Sequence, residues 1–215
     1  MIKLVILDVD GVLTDGRKYY DKTGMPCLKT YCDKDFTAIK RLKGAGVKVC
    51  FLSGDDFINK EMAKNRNIDF YSARGKDKAD FVSLFETRYN SKRSEMLYIG
   101  DDLFDASIMK KVKYSFCPSD ACLDIKNICG PNNTLTSPGG SNVIMEMVQL
   151  LLDRKLVPDD KEFTVLQSMV HLRKSGLGYR KISDEIKNKF GKRIYFPQVH
   201  KILNRPHNRQ LLEVA

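Results

Sequence analysis

The sequence predicts an α/β fold, a Rossmann-like parallel sheet flanked by helices with a β-hairpin insert, followed by a small all-α domain. The 215 residues begin with an apolar run, Ile2 to Leu7, which is typical of a buried strand in a parallel sheet. Two further apolar runs, Val47 to Leu52 and Met96 to Ile99, alternate with helical patterns. From Asp153 onward the net charge is +7, against +3 for the preceding residues, which indicates a second domain.

The first apolar run ends in two carboxylates, Asp8 and Asp10, followed by Gly11. Ligands of parallel sheets bind just beyond the carboxyl ends of the strands. Paired carboxylates at that edge suit a hard cation such as Mg²⁺, and a carboxylate can also attack phosphorus as a nucleophile. The segment therefore predicts a metal site used for phosphoryl transfer.

The next residues predict a hairpin and then a helix. Residues 17–20 and 28–31 flank the polar turn Asp21-Lys22-Thr23-Gly24, which is the pattern of a β-hairpin. The stretch from Asp33 to Ala45 has the character of a helix, and Gly44 and Gly46 end it.

Candidate phosphate-binding groups follow the second run, and candidate metal-binding carboxylates follow the third. Ser53 and Gly54 end the second run, and their hydroxyl and amide can hold phosphate oxygens. Lys76 and Lys78 precede a helical stretch, and either lysine could neutralise charge on a phosphoryl group. The third run ends in crowded carboxylates, which repel one another unless a cation lies among them. These acids are Asp101, Asp102 and Asp105.

These four elements occur in one order, each after a predicted strand: Asp-x-Asp, Ser, Lys and Gly-Asp-x-x-x-Asp. In this order the chain resembles the haloacid dehalogenase superfamily of phosphohydrolases. The resemblance implies Mg²⁺-dependent hydrolysis of phosphomonoesters through an aspartyl-phosphate. It makes Asp8 the nucleophile and Asp10 the general acid and base. The implied Mg²⁺ ligands are Asp8, the backbone carbonyl of Asp10, and Asp101.

The resemblance implies the remaining roles as well. Ser53 and the Gly54 amide would bind the phosphoryl group together with Lys78, which the family pattern Gly-x-x-Asp-Lys selects over Lys76. Asp105 would orient a metal-bound water or Lys78. Asp102 would be a further supporting residue of the site.

Within the superfamily the first 150 residues resemble a branch without a cap domain, typified by 3-deoxy-octulosonate 8-phosphate phosphatase. The matching stretches are 8–16, the hairpin with Tyr19-Tyr20, 75–78 and 98–105. The resemblance implies a sugar-acid phosphate as substrate and a homotetramer in which a neighbouring subunit closes the site. Two stretches depart from the branch: Asp33-Lys34-Asp35-Phe36 replaces Arg-Asp-Gly, and Ser53-Gly54-Asp55 replaces Thr-Gly-Arg.

The predicted domains are a phosphatase domain (1–153), a linker (154–161) and a basic domain (162–215). The last domain has the outline of a helix-turn-helix and resembles the DNA-binding segments of recombinases and resolvases, through Gly176 to Ile182 and Val199 to Leu203. A three-helix module that binds protein is the alternative, and RNA is a further possible partner. The candidate nucleic-acid contacts are Arg180, Lys181, Gln198, His200, Lys201 and Arg205.

Three functions therefore stay open at this point. The first is a sugar-acid phosphatase with an appended basic domain. The second is a phosphatase of nucleotides or nucleic-acid ends, and the third is a DNA-binding regulator that senses a phosphorylated metabolite. No apolar stretch is long enough to span a bilayer, and the six cysteines form no Cys-x-x-Cys pattern, so we expect a cytoplasmic protein with free thiols.

Overall fold

The computed structural model describes residues 1–154, 160–191 and 193–204, with only the backbone described at 160–163 and 196. The chain divides into two compact units, Met1–Val157 and Pro158–Ala215. Within the described ranges, no helix combines the length and apolar character that crossing a bilayer requires.

The first unit contains a five-stranded parallel sheet. The strands are β1 (Leu4–Leu7), β4 (Lys48–Ser53), β5 (Asp69–Ser72), β6 (Met96–Ile99) and β7 (Tyr114–Phe116). Their order in the sheet is β5-β4-β1-β6-β7, so the three apolar runs form the three central strands and the predicted α/β class is confirmed. Successive residues of β1 point to opposite faces of the sheet, and all four are buried, so both faces are covered.

The helices of this unit form the covering layers. Val5 and Leu7 of β1 pack in one apolar cluster, and Leu4 and Ile6 pack in the other. The helices are α1 (Asp33–Gly44), α2 (Phe57–Asn65), α3 (Val82–Tyr89), α4 (Ala106–Met109), α5 (Leu123–Cys129) and α6 (Val143–Asp153). The first cluster includes residues of α1, α2 and α6, and the second includes residues of α3, α4 and α5.

The strand register brings the predicted motifs to one edge of the sheet. Leu7 of β1 is paired with Phe51 of β4 on one side and with Ile99 of β6 on the other. The N–H of Asp8 donates to the carbonyl of Ile99 at 3.0 Å, which continues the pairing by one residue. The residues that follow these strands therefore lie side by side at the carboxyl end of the sheet.

The hairpin has shorter strands than the sequence predicts. β2 (Tyr19–Tyr20) and β3 (Pro26–Leu28) pair antiparallel, and Asp21 stabilises the turn by accepting bonds from the N–H groups of Thr23 and Met25. The prediction that residues 28–31 continue the strand is wrong after Leu28. The chain turns inward there because Lys29 and Tyr31 bond to buried polar groups instead of a partner strand.

Asp35, in the stretch that departs from the branch pattern, has a structural position. It is fully buried on α1, and its Oδ1 accepts bonds from the N–H groups of Ile144 and Met145 at 2.9 and 3.1 Å. A carboxylate at a helix N-terminus satisfies unpaired donors and complements the helix dipole. Asp35 therefore joins α1 to the start of α6.

The second unit contains three helices at the predicted positions: α7 (Asp160–Lys174), α8 (Tyr179–Phe190) and α9 (Phe196–Leu203). Gly191 ends α8 with φ +65°, a left-handed conformation that glycine adopts without strain. The helices share one apolar cluster, which consists of Val165, Met169, Ile182, Ile186, Ile194, Val199 and Leu203. Most of the predicted linker lies outside the described residues. Arg205, one of the candidate nucleic-acid contacts, lies outside them as well.

Candidate active site

Asp8 lies directly after β1 and is almost fully buried, with 7% of its surface exposed. Its Oδ1 accepts a hydrogen bond from the N–H of Val9 at 2.8 Å, and its Oδ2 lies 3.1 Å from Nζ of Lys78. Burial, followed by the charge of Asp105, raises the pKa of Asp8 to about 7. A cation beside Asp8 would favour the ionised form that a nucleophile needs.

Lys78 is the lysine that reaches this cluster. Its Nζ lies 2.6 Å from Oδ1 of Asp105 and donates to the hydroxyl of Tyr98 at 3.1 Å. Burial alone would lower the pKa of Lys78, but the charges of Asp8 and Asp105 outweigh it and raise the pKa above its usual value. The ammonium group is therefore held in its charged form beside Asp8, the predicted nucleophile.

Asp105 is fully buried and fully bonded. Its Oδ1 accepts from Lys78 and from the hydroxyl of Tyr98, the latter at 2.5 Å, and its Oδ2 accepts from the N–H groups of Asp101 and Asp102. Four donors leave this carboxylate little capacity for a further ligand. Asp105 therefore fixes Lys78 and the loop that carries Asp101.

Asp101 is the carboxylate in the cluster that lacks protein partners. Its Oδ1 is buried without a hydrogen-bond partner. Burial and the charges of Asp8 and Asp105 raise the pKa of Asp101 to about 8. Gly11 is required beside it, because a Cβ at position 11 would lie 2.0 Å from Oδ2 of Asp101. The geometry thus brings the ends of β1 and β6 into contact.

The acidic cluster has the donor set of a hard cation. One carboxylate oxygen each from Asp8, Asp101 and Asp105 lie within 4.8 Å of one another. Because Asp105 already accepts four hydrogen bonds, Asp8 and Asp101 are the side chains that could hold the ion. Oxygen ligands of this kind are those that Mg²⁺ prefers. The unpaired Oδ1 of Asp101 and the one lysine against three acids both fit a divalent ion at this position. The side chain of Asp10 does not belong to this group.

Ser53 and Gly54 lie at the end of β4, on the same edge of the sheet. Ser53 is buried, and its Oγ accepts hydrogen bonds from the N–H of Asp55 at 3.2 Å and from Nδ2 of Asn59 at 3.0 Å. Both Ser53 and Gly54 line an open cavity of about 1150 Å³ together with Asp8, Asp10 and Lys78. The predicted phosphate-binding groups and the predicted nucleophile therefore face one space.

Asp10 points away from the acidic cluster toward a second set of charges. Its Oδ1 accepts from Nζ of Lys29 at 2.6 Å, and its Oδ2 accepts from Nδ2 of Asn59 at 3.1 Å. Lys29 also bonds to Asp55 at 2.8 Å, and Lys18 bonds to the same oxygen of Asp55 at 2.8 Å. These two lysines lower the pKa of Asp55 against the opposing effect of burial.

The sequence prediction missed several members of the site. The prediction missed Lys29 because nothing in the sequence of a hairpin indicates that one of its lysines turns inward. Asn59 could have been found, since it shares the buried face of α2 with Met62 and Ala63, where a polar residue is unexpected. Lys76 does not join the cluster, and Asp102 is exposed and accepts a bond from the N–H of Leu103.

The predicted nucleic-acid contacts are exposed on α8 and α9 wherever the structure describes them. Arg180, Lys181, His200 and Lys201 are exposed, as is Gln198, whose side chain accepts a hydrogen bond from the N–H of Tyr195. The ring of His200 packs edge-on against Tyr179 at 4.8 Å between centroids. Their role stays a prediction.

Comparison with known proteins identifies relatives of this arrangement. The 3-deoxy-D-manno-octulosonate 8-phosphate phosphatase of Haemophilus influenzae is 32% identical over 154 residues, which are 70% of this chain and 83% of the relative. The cobalt-bound structure of the phosphatase from that organism has a TM-score of 0.65 and 33% identity, and covers 71% of this chain and 88% of its own.

A second solved structure has the same TM-score and a lower sequence identity. The 3-deoxy-D-manno-octulosonate 8-phosphate phosphatase of Moraxella catarrhalis, solved with magnesium, phosphate and KDO, has a TM-score of 0.65 and 25% identity. It covers 71% of this chain and 86% of its own. No protein-family model matches the chain.

The matched region corresponds in length to the unit that contains the site. The 154 matched residues are close in number to the first compact unit, Met1–Val157, which contains every residue of the site. The chain is a phosphatase of the haloacid dehalogenase superfamily and belongs to the family of 3-deoxy-D-manno-octulosonate 8-phosphate phosphatases.

Proposed function

We propose that the protein hydrolyses the phosphomonoester of a sugar acid, with Mg²⁺ as cofactor and an aspartyl-phosphate on Asp8 as intermediate. The observation that carries the proposal is the meeting of Asp8, Lys78 and Asp101 at one end of the sheet, where all three line the cavity. The relatives support a sugar phosphate as the substrate class, since they are named for one.

The two halves of the reaction use two carboxylates. Asp10 enters the cycle as the carboxylic acid. Asp8 attacks phosphorus, and the bond to the leaving oxygen breaks as Asp10 gives its proton to that oxygen and becomes a carboxylate. Water then attacks the phosphoryl group on Asp8 while Asp10 takes the proton, which releases inorganic phosphate and restores both side chains. Asp10 suits this role because it lines the same cavity as Asp8 while its carboxylate is held apart from the acidic cluster.

Charge stabilisation is the other requirement of phosphoryl transfer. Asp8, Asp101 and the backbone carbonyl of Asp10 would hold Mg²⁺, which supplies Lewis-acid stabilisation of the phosphoryl oxygens. Lys78, Ser53 and the Gly54 amide bind the same oxygens from the protein side. Asp105 holds Lys78 in place through its bond of 2.6 Å.

The outer part of the cavity favours an anionic sugar. Lys60 and Lys76 line it and are exposed, so they can attract a second negative charge on the substrate, whereas Arg74 beside them is paired with Asp56 at 3.4 Å. Asp55, which stands where the branch has arginine, is already bonded to Lys18 and Lys29. Recognition of the sugar carboxylate is therefore assigned to other basic residues of the rim.

A substrate panel tests the proposal. We expect 3-deoxy-D-manno-octulosonate 8-phosphate to be hydrolysed with a higher kcat/KM than nucleoside monophosphates or 3′-phosphorylated DNA. The Asp8→Asn variant should keep its fold by circular dichroism and lose turnover by more than about 10³-fold, because it lacks the nucleophile. Retained turnover in this variant contradicts the nucleophile, and a preference for 3′-phosphorylated DNA favours the nucleic-acid-end phosphatase.

We further propose that copies of the chain assemble as a tetramer that closes the open cavity. The hairpin exposes four large apolar side chains, and Tyr20 and Met25 among them also line the cavity. Light scattering should report a tetramer for the native chain and a smaller species for Tyr19→Glu/Leu28→Glu. Leu123→Glu, at an exposed apolar residue of α5, is the matched control and should keep the native mass.

Nucleic acid is the second candidate partner, through the three-helix unit. The exposed Arg180 and Lys181 of α8 and Lys201 of α9 add to a segment with a net charge of +7. Duplex DNA binding by the full chain should weaken steeply with salt, and Lys181→Gln/Lys201→Gln should reduce the salt dependence. Binding that does not change with salt, or no binding, supports the alternative of a protein-binding module.

A further inference from the structure

Lys29 is buried and uses all of its hydrogen-bonding capacity beside Asp10. No part of its side chain is exposed, and its three ammonium protons have three acceptors: Asp10, Asp55 and Asn59, at 2.6, 2.8 and 3.0 Å. A buried ammonium group is costly unless it is paired and fully bonded. Its position next to Asp10 therefore indicates a specific role for that pairing.

Asn59 is a second fully bonded residue at the same place. Its Oδ1 accepts from Nζ of Lys29 and from the hydroxyl of Tyr31, both at 3.0 Å. Its Nδ2 donates to Oδ2 of Asp10 at 3.1 Å and to Oγ of Ser53 at 3.0 Å. These four bonds are the whole capacity of an amide side chain. They also fix its orientation, because a reversed amide would direct its NH₂ group at the ammonium of Lys29.

The bonds of Asn59 join the two groups that must act on one substrate. Asp10 lies in the loop after β1 and Ser53 ends β4, yet one amide nitrogen donates to both of them. Lys29 fixes the other oxygen of Asp10, so the carboxylate is bonded on both oxygens and cannot rotate freely. Small errors in the placement of an acid cost large factors in rate.

We propose that Lys29 and Asn59 are positioning residues that hold the Asp10 carboxylate at a set distance from the phosphate-binding hydroxyl of Ser53. The inference rests on the proposed role of Asp10 as the acid that protonates the leaving oxygen. In that role the position of Asp10 matters most when the leaving group is poor, since a good leaving group departs without a proton.

Two aryl phosphate substrates distinguish the loss of Asp10 positioning from a general loss of activity. The leaving group of p-nitrophenyl phosphate is a stabilised phenolate that needs little proton donation, whereas that of phenyl phosphate is more basic. The ratio kcat/KM includes only the steps up to departure of the leaving group, because that step leaves the phosphoryl group on the enzyme. The later use of Asp10 as a base therefore does not enter the comparison.

In Lys29→Met and Asn59→Leu we expect kcat/KM for phenyl phosphate to fall by about 10²-fold and that for p-nitrophenyl phosphate by a few-fold only. Both substitutions are close in shape to the native side chains, and Asn59→Leu carries the test if Lys29→Met does not fold. Lys64→Met and Asn65→Leu, exposed on α2, are the matched controls and should behave as the native protein.

An equal fall for both substrates, or no fall for either, overturns the proposal. Asp8→Asn is measured beside these variants. If it keeps turnover, the proposed mechanism fails as a whole. If it loses turnover while Lys29→Met and Asn59→Leu match the native protein, the mechanism stands and only the positioning role is wrong.

Discussion

The two sides of the active site differ in their balance of charge. On one side, three carboxylates surround one lysine, and Oδ1 of Asp101 is buried without a partner. On the other side, Asp10 and Asp55 form ion pairs with Lys18 and Lys29. Asn59 beside them makes all four hydrogen bonds that its side chain allows. The first side has an excess of negative charge that an added cation would balance. On the second side the two lysines already balance the two carboxylates. In the proposed mechanism the chemistry divides in the same way, with the first side binding the phosphoryl group and the second transferring the proton.

The largest expected effect follows from the first side. Treatment with EDTA should lower turnover of p-nitrophenyl phosphate by about 10³-fold, because the protein has one lysine where the reaction needs several positive charges. Added Mg²⁺ should restore the native rate in a steady-state assay. Full turnover in excess EDTA would show that the acidic cluster works without a metal.

The next effect is on stability. Asp105→Asn should lower the free energy of unfolding by about 3 kcal/mol, because it breaks a buried ion pair and leaves Lys78 with fewer partners. Urea unfolding measures the change. Asp102→Asn is the matched control: this exposed residue keeps a side-chain acceptor for the N–H of Leu103, so it should change stability by less than about 0.5 kcal/mol. Equal losses in the two variants would remove the special position of Asp105.

The smallest effect concerns the balanced side. Asp55→Asn should cost about 1 to 2 kcal/mol at neutral pH, because Asp55 bonds to two lysines. Its pKa is lowered in the folded protein, so its contribution is present above the ordinary carboxyl range and is lost as the pH falls below that range. Unfolding curves of the native protein and the variant should therefore converge in acid. A difference that is constant with pH would mean that the ion pairs contribute nothing.

The sequence predicted the first side of the site better than the second. Asp8, Ser53 and Asp101 follow apolar strands directly, and parallel strands bring their carboxyl ends to one edge, so the grouping follows from the pattern. Lys29 comes from a hairpin that leaves the sheet, and its inward turn depends on acceptors distant in sequence, such as Asn59. Contacts of this kind have no periodicity that could be read from the chain.

The same distinction applies to the fold. The three central strands, the helix after the hairpin and all three helices of the second unit were predictable from apolar runs and glycine turns. The end of β3 was not, because a strand that ends to make buried side-chain bonds has the same composition as one that continues. The function of the second unit was not fixed either, since exposed basic helices bind several kinds of partner.

The most direct test of the difference between the two sides is urea unfolding of the native protein and Asp101→Asn, each with EDTA and with saturating Mg²⁺. We predict that Mg²⁺ stabilises the native protein, that it has little effect on Asp101→Asn, and that in EDTA the variant is the more stable of the two because a carboxylate repelled by its neighbours is gone. Equal stabilisation of both proteins by Mg²⁺, or none in the native protein, would contradict the account.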